Sequence, residues 1–241
     1  MNFNIYLAIS AEIIKMSVLP QASLFLGLIP ALALLFISIK GYDDFYKDKY
    51  LFLSIVIGVI IGFIAAFVQS FTLVLSIIYI VLLAFFDQLI KTIILNIGRL
   101  QKNKETPIYG LALGLGFGSS FTPLWIIAVS TYISTEIIIV SIVTVGSIGV
   151  ILFHGATGAF IGYGVYKNKL FKSLFISIIL QLPFNLLIGL MFIYSNINNY
   201  SMNTLIGIVI ALLIYAGFIY YHVTMKILPN LKEIEKDKKR S

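Results

Sequence analysis

Three polar side chains interrupt one of the most apolar stretches of the chain. In LLAFFDQLIKTIIL, Leu82 to Leu95, a carboxylate, an amide and an ammonium stand at Asp87, Gln88 and Lys91. Ionisable groups inside a membrane-length helix are expensive to bury, so they mark a functional site by default. His154, Gln181 and Asn185 are further polar residues set inside apolar runs. Such a set is the raw material for three things: an internal ion pair, a polar pathway for transport, or an acid and a histidine that activate water. The ion pair has a simple basis, because an acid four residues before a base is the favourable order on a helix.

The elements that must position these groups follow from composition. Hydrophobic residues make up 60% of the 241 and charged residues 11%, and the mean hydropathy is +1.03. These values exclude an ordinary soluble domain and point to an all-α polytopic membrane protein. Cysteine is absent, which removes disulfides, thiolate nucleophiles and cysteine metal sites. The start, MNFNIYLAISAEIIKM, has neither a basic leader region nor a small-residue cleavage site, so no removable signal peptide is expected.

Seven runs are long enough to cross a bilayer, which takes about 20 residues: 18–39, 51–69, 71–98, 108–130, 137–166, 170–195 and 203–226. They leave an N-terminal arm over 1–17, one transmembrane domain over 18–226 and a basic tail over 227–241. Fifteen of the 17 Lys and Arg residues fall after the first, third, fifth and seventh runs. Since cytoplasmic loops collect positive charge, this alternation predicts an outside N-terminus, a cytoplasmic C-terminus and a multi-pass protein of the cell membrane. The net charge of +7 is then a matter of topology and of contact with the lipid bilayer. The basic residues are not interleaved with a stacking surface, so no nucleic acid is expected as a partner.

Depth links the polar residues. Asp87 lies 11 residues from Gly98, the end of the third run, roughly 16 Å at 1.5 Å per residue. Ser119, His154 and Gln181 lie 11 or 12 residues from the same side in the fourth, fifth and sixth runs. Their faces agree: His154, Gly158 and Gly162 form one row at helical spacing, Gln181, Asn185 and Gly189 a second, and Gly110, Gly114, Gly118 and Thr122 a third. Glycine rows mark close helix approach in membranes, so one enclosed polar layer is expected. Ser119, Ser120 and Thr122 read as packing residues bonded to their own helix. Gln181 and Asn185 flank Pro183, whose missing N–H leaves backbone groups for them to satisfy. One Asp and one mid-membrane His fall short of the three or so protein ligands a metal needs, and His222 is remote from them. Neither a metal nor a cofactor is expected.

The order of four stretches, FFDQLIK, PIYGLALGLGFGSS, FHGATGAFIGYG and QLPFNLL, resembles the successive motifs of the PrsW intramembrane proteases, distant relatives of the CAAX-processing glutamic proteases. LIPALALLFISIKGYDDFYKDKY resembles that family's first helix and the loop after it. The resemblance covers about Leu28 to Leu187. It implies an intramembrane hydrolase acting on a single-span membrane protein, with Asp87 and His154 as the catalytic, water-activating groups. Gln88, Gln181 and Asn185 become candidates for oxyanion or substrate binding, and Lys91 for a structural pair with Asp87. The family's paired glutamates fall on Asp87 and Gln88, its Glu-Asn on Phe121 and Thr122, and its second histidine on Gln181. That degenerate set implies a slow enzyme or a pseudoenzyme. The alternatives are a non-catalytic, membrane-embedded helix-binding regulator and, ranked last for want of an internal repeat, a transporter.

Overall fold

The computed structural model describes residues 23–71, 77–101, 103–132, 137–196 and 201–231, and these form helices joined by short turns. In chain order they are α1 (Ser23–Ile39), α2 (Asp48–Phe71), α3 (Ile77–Leu95), α4 (Thr106–Ser119), α5 (Phe121–Tyr132), α6 (Ile137–Tyr166), α7 (Leu170–Asn196) and α8 (Met202–His222). The chain is an all-α polytopic membrane protein. Six stretches have the length and apolarity to span a bilayer, with α4 and the first turns of α5 forming one of them, and α1 is a shorter apolar helix. Helices are the expected solution, because hydrocarbon offers no partner to an unbonded N–H or C=O. The expected arm over 1–17 and residues 232–241 of the tail lie outside the described residues. The helical domain runs a little past 226: a wide turn over Val223–Ile227 continues α8.

The core is organised around α4, every residue of which is buried. Glycines on two of its faces allow this. A Cβ placed on Gly110 would lie 2.2 Å from the carbonyl oxygen of Gly158, and one on Gly114 only 2.0 Å from that of His154. On the opposite side, Gly58 and Gly62 of α2 meet the carbonyls of Leu113 and Phe117, and Gly116 meets that of Ile55. The helix is thus clasped between α2 and α6, backbone to backbone. The expected glycine rows of α4 and α6 face each other in antiparallel register.

Two prolines shape the bundle. Pro123 cannot bond the carbonyl of Ser119, and the helix is interrupted at Ser120 between α4 and α5. Gly27 of α1 packs against that freed oxygen. Pro183 lies inside α7. The hydroxyl of Tyr215 in α8 donates to the carbonyl of Leu180, in the turn before that proline, at 2.7 Å, a bond supplied from a neighbouring helix.

The turn between α6 and α7 is a left-handed helix cap. Asn168 has φ 55°, Lys169 N–H bonds the carbonyl of Gly164 at 2.7 Å, and Asn168 N–H bonds that of Val165 at 3.2 Å. Asparagine tolerates this conformation better than most residues. The tight reversal sets α6 and α7 in register, with Gly164 against Ser173 and Phe153 stacked on Phe184 at 4.1 Å.

Candidate functional site

Asp87, Gln88 and Lys91 lie on the side of α3 that meets α6 and α7, and all three are buried. Their helix brings the lipid-facing rings of Phe85 and Phe86 to the other side. The row on α7 presents Gln181 and Asn185 to α3, and α6 supplies His154 and Thr157. Four of the residues expected in one layer, Asp87, Gln88, His154 and Gln181, therefore stand together with Lys91 and Asn185. Ser119 does not join them, because its hydroxyl donates to the carbonyl of Gly116 at 2.7 Å.

The carboxylate of Asp87 accepts from Gln181 Nε2 at 2.6 Å. From the far end of α2, Gln69 Nε2 donates to both of its oxygens, at 3.1 and 3.2 Å. Gln88 Nε2 donates to Gln181 Oε1, so Gln181 holds the acid with one end of its amide and Gln88 with the other. Asn185 Nδ2 donates to the carbonyl of Ile80 at 3.1 Å, tying α7 to α3 a turn further on. Gln88 Oε1 is buried with no hydrogen-bond partner among the described residues.

Lys91 is the largest fully buried charged side chain. Its ammonium lies 3.1 Å from His154 Nδ1, donates to Thr157 Oγ1 at 2.8 Å and sits 5.4 Å from the centre of the Phe117 ring. The expected contact pair along α3 is thus replaced. Asp87 and Lys91 are one turn apart and feel each other's charge, but the polar atoms of each take partners on other helices. The reason is geometric: α6 and α7 offer bonds to both groups, which a local pair would leave unmade. With Lys91 as an ammonium, which has donors only, Nδ1 is the acceptor and the imidazole proton is on Nε2; a neutral amine would allow either tautomer.

Four phenyl rings surround His154. Phe117 lies 4.8 Å away, Phe121 is stacked on the imidazole at 5.5 Å with 17° between planes, and Phe153 and Phe184 lie at 5.6 and 6.2 Å. A direct hydrogen bond between Asp87 and His154 is not among those of the described residues; Lys91 and the glutamines occupy the groups instead. Ser120 bonds the carbonyl of Val59 at 2.7 Å as well as its own helix, and the Thr122 hydroxyl is buried with no partner among the described residues. The amides of Gln181 and Asn185 serve α3 and not the backbone around Pro183. Groups of three or more metal-ligating side chains are absent among the described residues.

Gln69 and Thr157 are members of the layer that the sequence reading left out. Thr157 carries a usable signal, being three residues from His154 on one helical face. Gln69 shows itself only as a polar residue closing an apolar run. No family model, curated protein or solved structure matches the chain.

Proposed function

We propose that this chain is a PrsW-like protein of the cell membrane that binds a membrane-spanning client without cutting it, a helix-binding regulator built on a protease scaffold. The observation that carries this reading is the stacking of Phe121 on His154 at 5.5 Å. Phe121 falls where the PrsW pattern has its second acidic motif, so an aromatic ring covers the histidine where a carboxylate would serve it. The rest of the layer agrees. A general base must reach the water it activates within hydrogen-bond distance. Here Asp87 is taken by Gln181 and Gln69, and His154 Nδ1 by Lys91. In this reading the client lies along α3, where Phe85 and Phe86 face lipid beside the buried Asp87. Asp87 and His154 then act as structural groups that keep α3, α6 and α7 in the client-binding arrangement.

The test is reconstitution with labelled single-span peptides, following both association by energy transfer and cleavage by gel. The expected result is association without cleavage. Replacing Asp87, Gln88 and Phe121 with Glu, Thr122 with Asn and Gln181 with His should introduce cleavage. Cutting by the unmodified protein that is lost in Asp87→Ala would overturn the proposal and make the chain a working protease.

A further inference from the structure

A second feature lies on the outer surface of the bundle, away from the carboxylate. Between α6, α7 and α8 is a cavity of about 310 Å³, walled by Thr157 and Phe160, by Ile176 and Leu180, and by Phe218 and His222. Its volume is at the lower end of the range for small-molecule sites, about 300–1,000 Å³. The wall is hydrocarbon apart from the Thr157 hydroxyl and the His222 ring. The Thr157 hydroxyl already accepts from Lys91, leaving the pocket with little to offer a polar ligand.

The two ends of the cavity differ. At the inner end stands Thr157, a little over two turns from the end of α6 at Tyr166. At the outer end are His222 and the wide turn Val223–Ile227, where α8 loosens. Lys172 lies one turn before Ile176 on the same face of α7, and Lys226 lies within the wide turn; both are exposed. Asp and Glu are absent from the described residues of α6, α7, α8 and the turns joining them. An apolar slot thus opens at a positively charged rim, with no acidic side chain among the described residues of the three helices that form it.

We propose that this cavity is a binding site for one acyl chain of an anionic phospholipid, with the headgroup held by Lys172, Lys226 and His222. Bilayer hydrocarbon is as apolar as the slot, so the chain gains van der Waals packing there and not a transfer out of water. The lysines select the headgroup. The proposal stands independently of the client-binding reading, since it uses none of the α3 residues. It also places a lipid against the outer wall of Thr157, whose hydroxyl steadies Lys91 from the inside.

Delipidated full-length protein would be titrated with phosphatidylglycerol or with phosphatidylcholine of identical chains, and retention read by native mass spectrometry. One phosphatidylglycerol should be retained in preference to phosphatidylcholine. Lys172→Gln and Lys226→Gln should each weaken it about five-fold, without affecting phosphatidylcholine. Ile176→Trp, which fills the slot, should reduce both. Should that variant fail to fold, the two exposed lysine variants still decide. Equal retention of the two lipids, retention unaffected by Ile176→Trp, or displacement by glycerol phosphate without chains would overturn the proposal, the last by assigning the site to a free phosphate. A peptide helix competing with the lipid for the slot would also overturn it.

Discussion

The contact between α4 and α6 and the contact between α3 and α7 solve one problem by opposite means. Between α4 and α6 the closest points are glycines against carbonyl oxygens, with the Leu115 side chain also packed on Gly155. Between α3 and α7 the contact is made by long amides and a carboxylate. Lipid supplies no hydrophobic drive for helices to associate, so small-residue packing and interhelical hydrogen bonds are the available sources. Here they are separated in space. The glycine seam decides where His154 stands, and the polar side chains decide what stands beside it.

The largest expected effect is on the seam. In Gly114→Leu the first carbon alone would meet the His154 carbonyl at 2.0 Å, and backbone cannot turn aside as a side chain can. Overpacking commonly destabilises by about 1–3 kcal/mol, and a leucine driven against the rigid backbone of α6 should go far enough beyond that to prevent folding. Size-exclusion chromatography in detergent should show loss of the monodisperse protein. A variant that elutes and melts like the parent would mean the two helices separate easily, and the contrast with the polar contact would collapse.

A smaller effect is expected in the polar layer, and its sign is more informative. Lys91→Met leaves Asp87 without a compensating charge and takes away the donor to His154 and Thr157. Breaking a buried charge arrangement in this way destabilises by about 3–5 kcal/mol. The double variant Asp87→Leu/Lys91→Met removes both charges and should melt at a higher temperature than Lys91→Met alone. Equal melting temperatures would show that the two charges act separately, each through its own partners on α6 and α7.

The smallest effect tests whether α7 depends on its other neighbour. Tyr215→Phe takes a hydrogen bond from the Leu180 carbonyl beside Pro183, at a loss of about 1 kcal/mol. Thermal unfolding should detect it. If no change is seen, the Leu180 carbonyl is satisfied within α7, and α3 and α6 hold the helix without this bond.

Much of this arrangement was legible because membrane helices obey two simple periodicities. Apolar length located the helices. Distance from the basic loops put Asp87, His154 and Gln181 at one depth, and the spacing of four placed the glycine rows on matching faces. The partner of each polar group was not legible. Asp87 and Lys91 read as a local pair whether they bond each other or are drawn apart by neighbours, since spacing along one helix carries no information about the next helix. Ser119 had the right depth and still bonded its own backbone, because a short hydroxyl reaches its helix more easily than it spans a gap. Phe121 was singled out only by the resemblance, not by its surroundings: a phenylalanine in an apolar run reads the same facing lipid or facing an imidazole.

The cap at Asn168 has a consequence for the layer as a whole. With the two helices joined through so few residues, α7 has no slack in which to turn about its own axis. Each residue of a helix advances its face by about 100°, so the length of this connection works as an angular setting. It decides whether the amide of Gln181 points at α3 or at lipid. The chemistry of residues 167–169 is free to vary within the left-handed cap, whereas their number is fixed by a side chain some 12 positions further along.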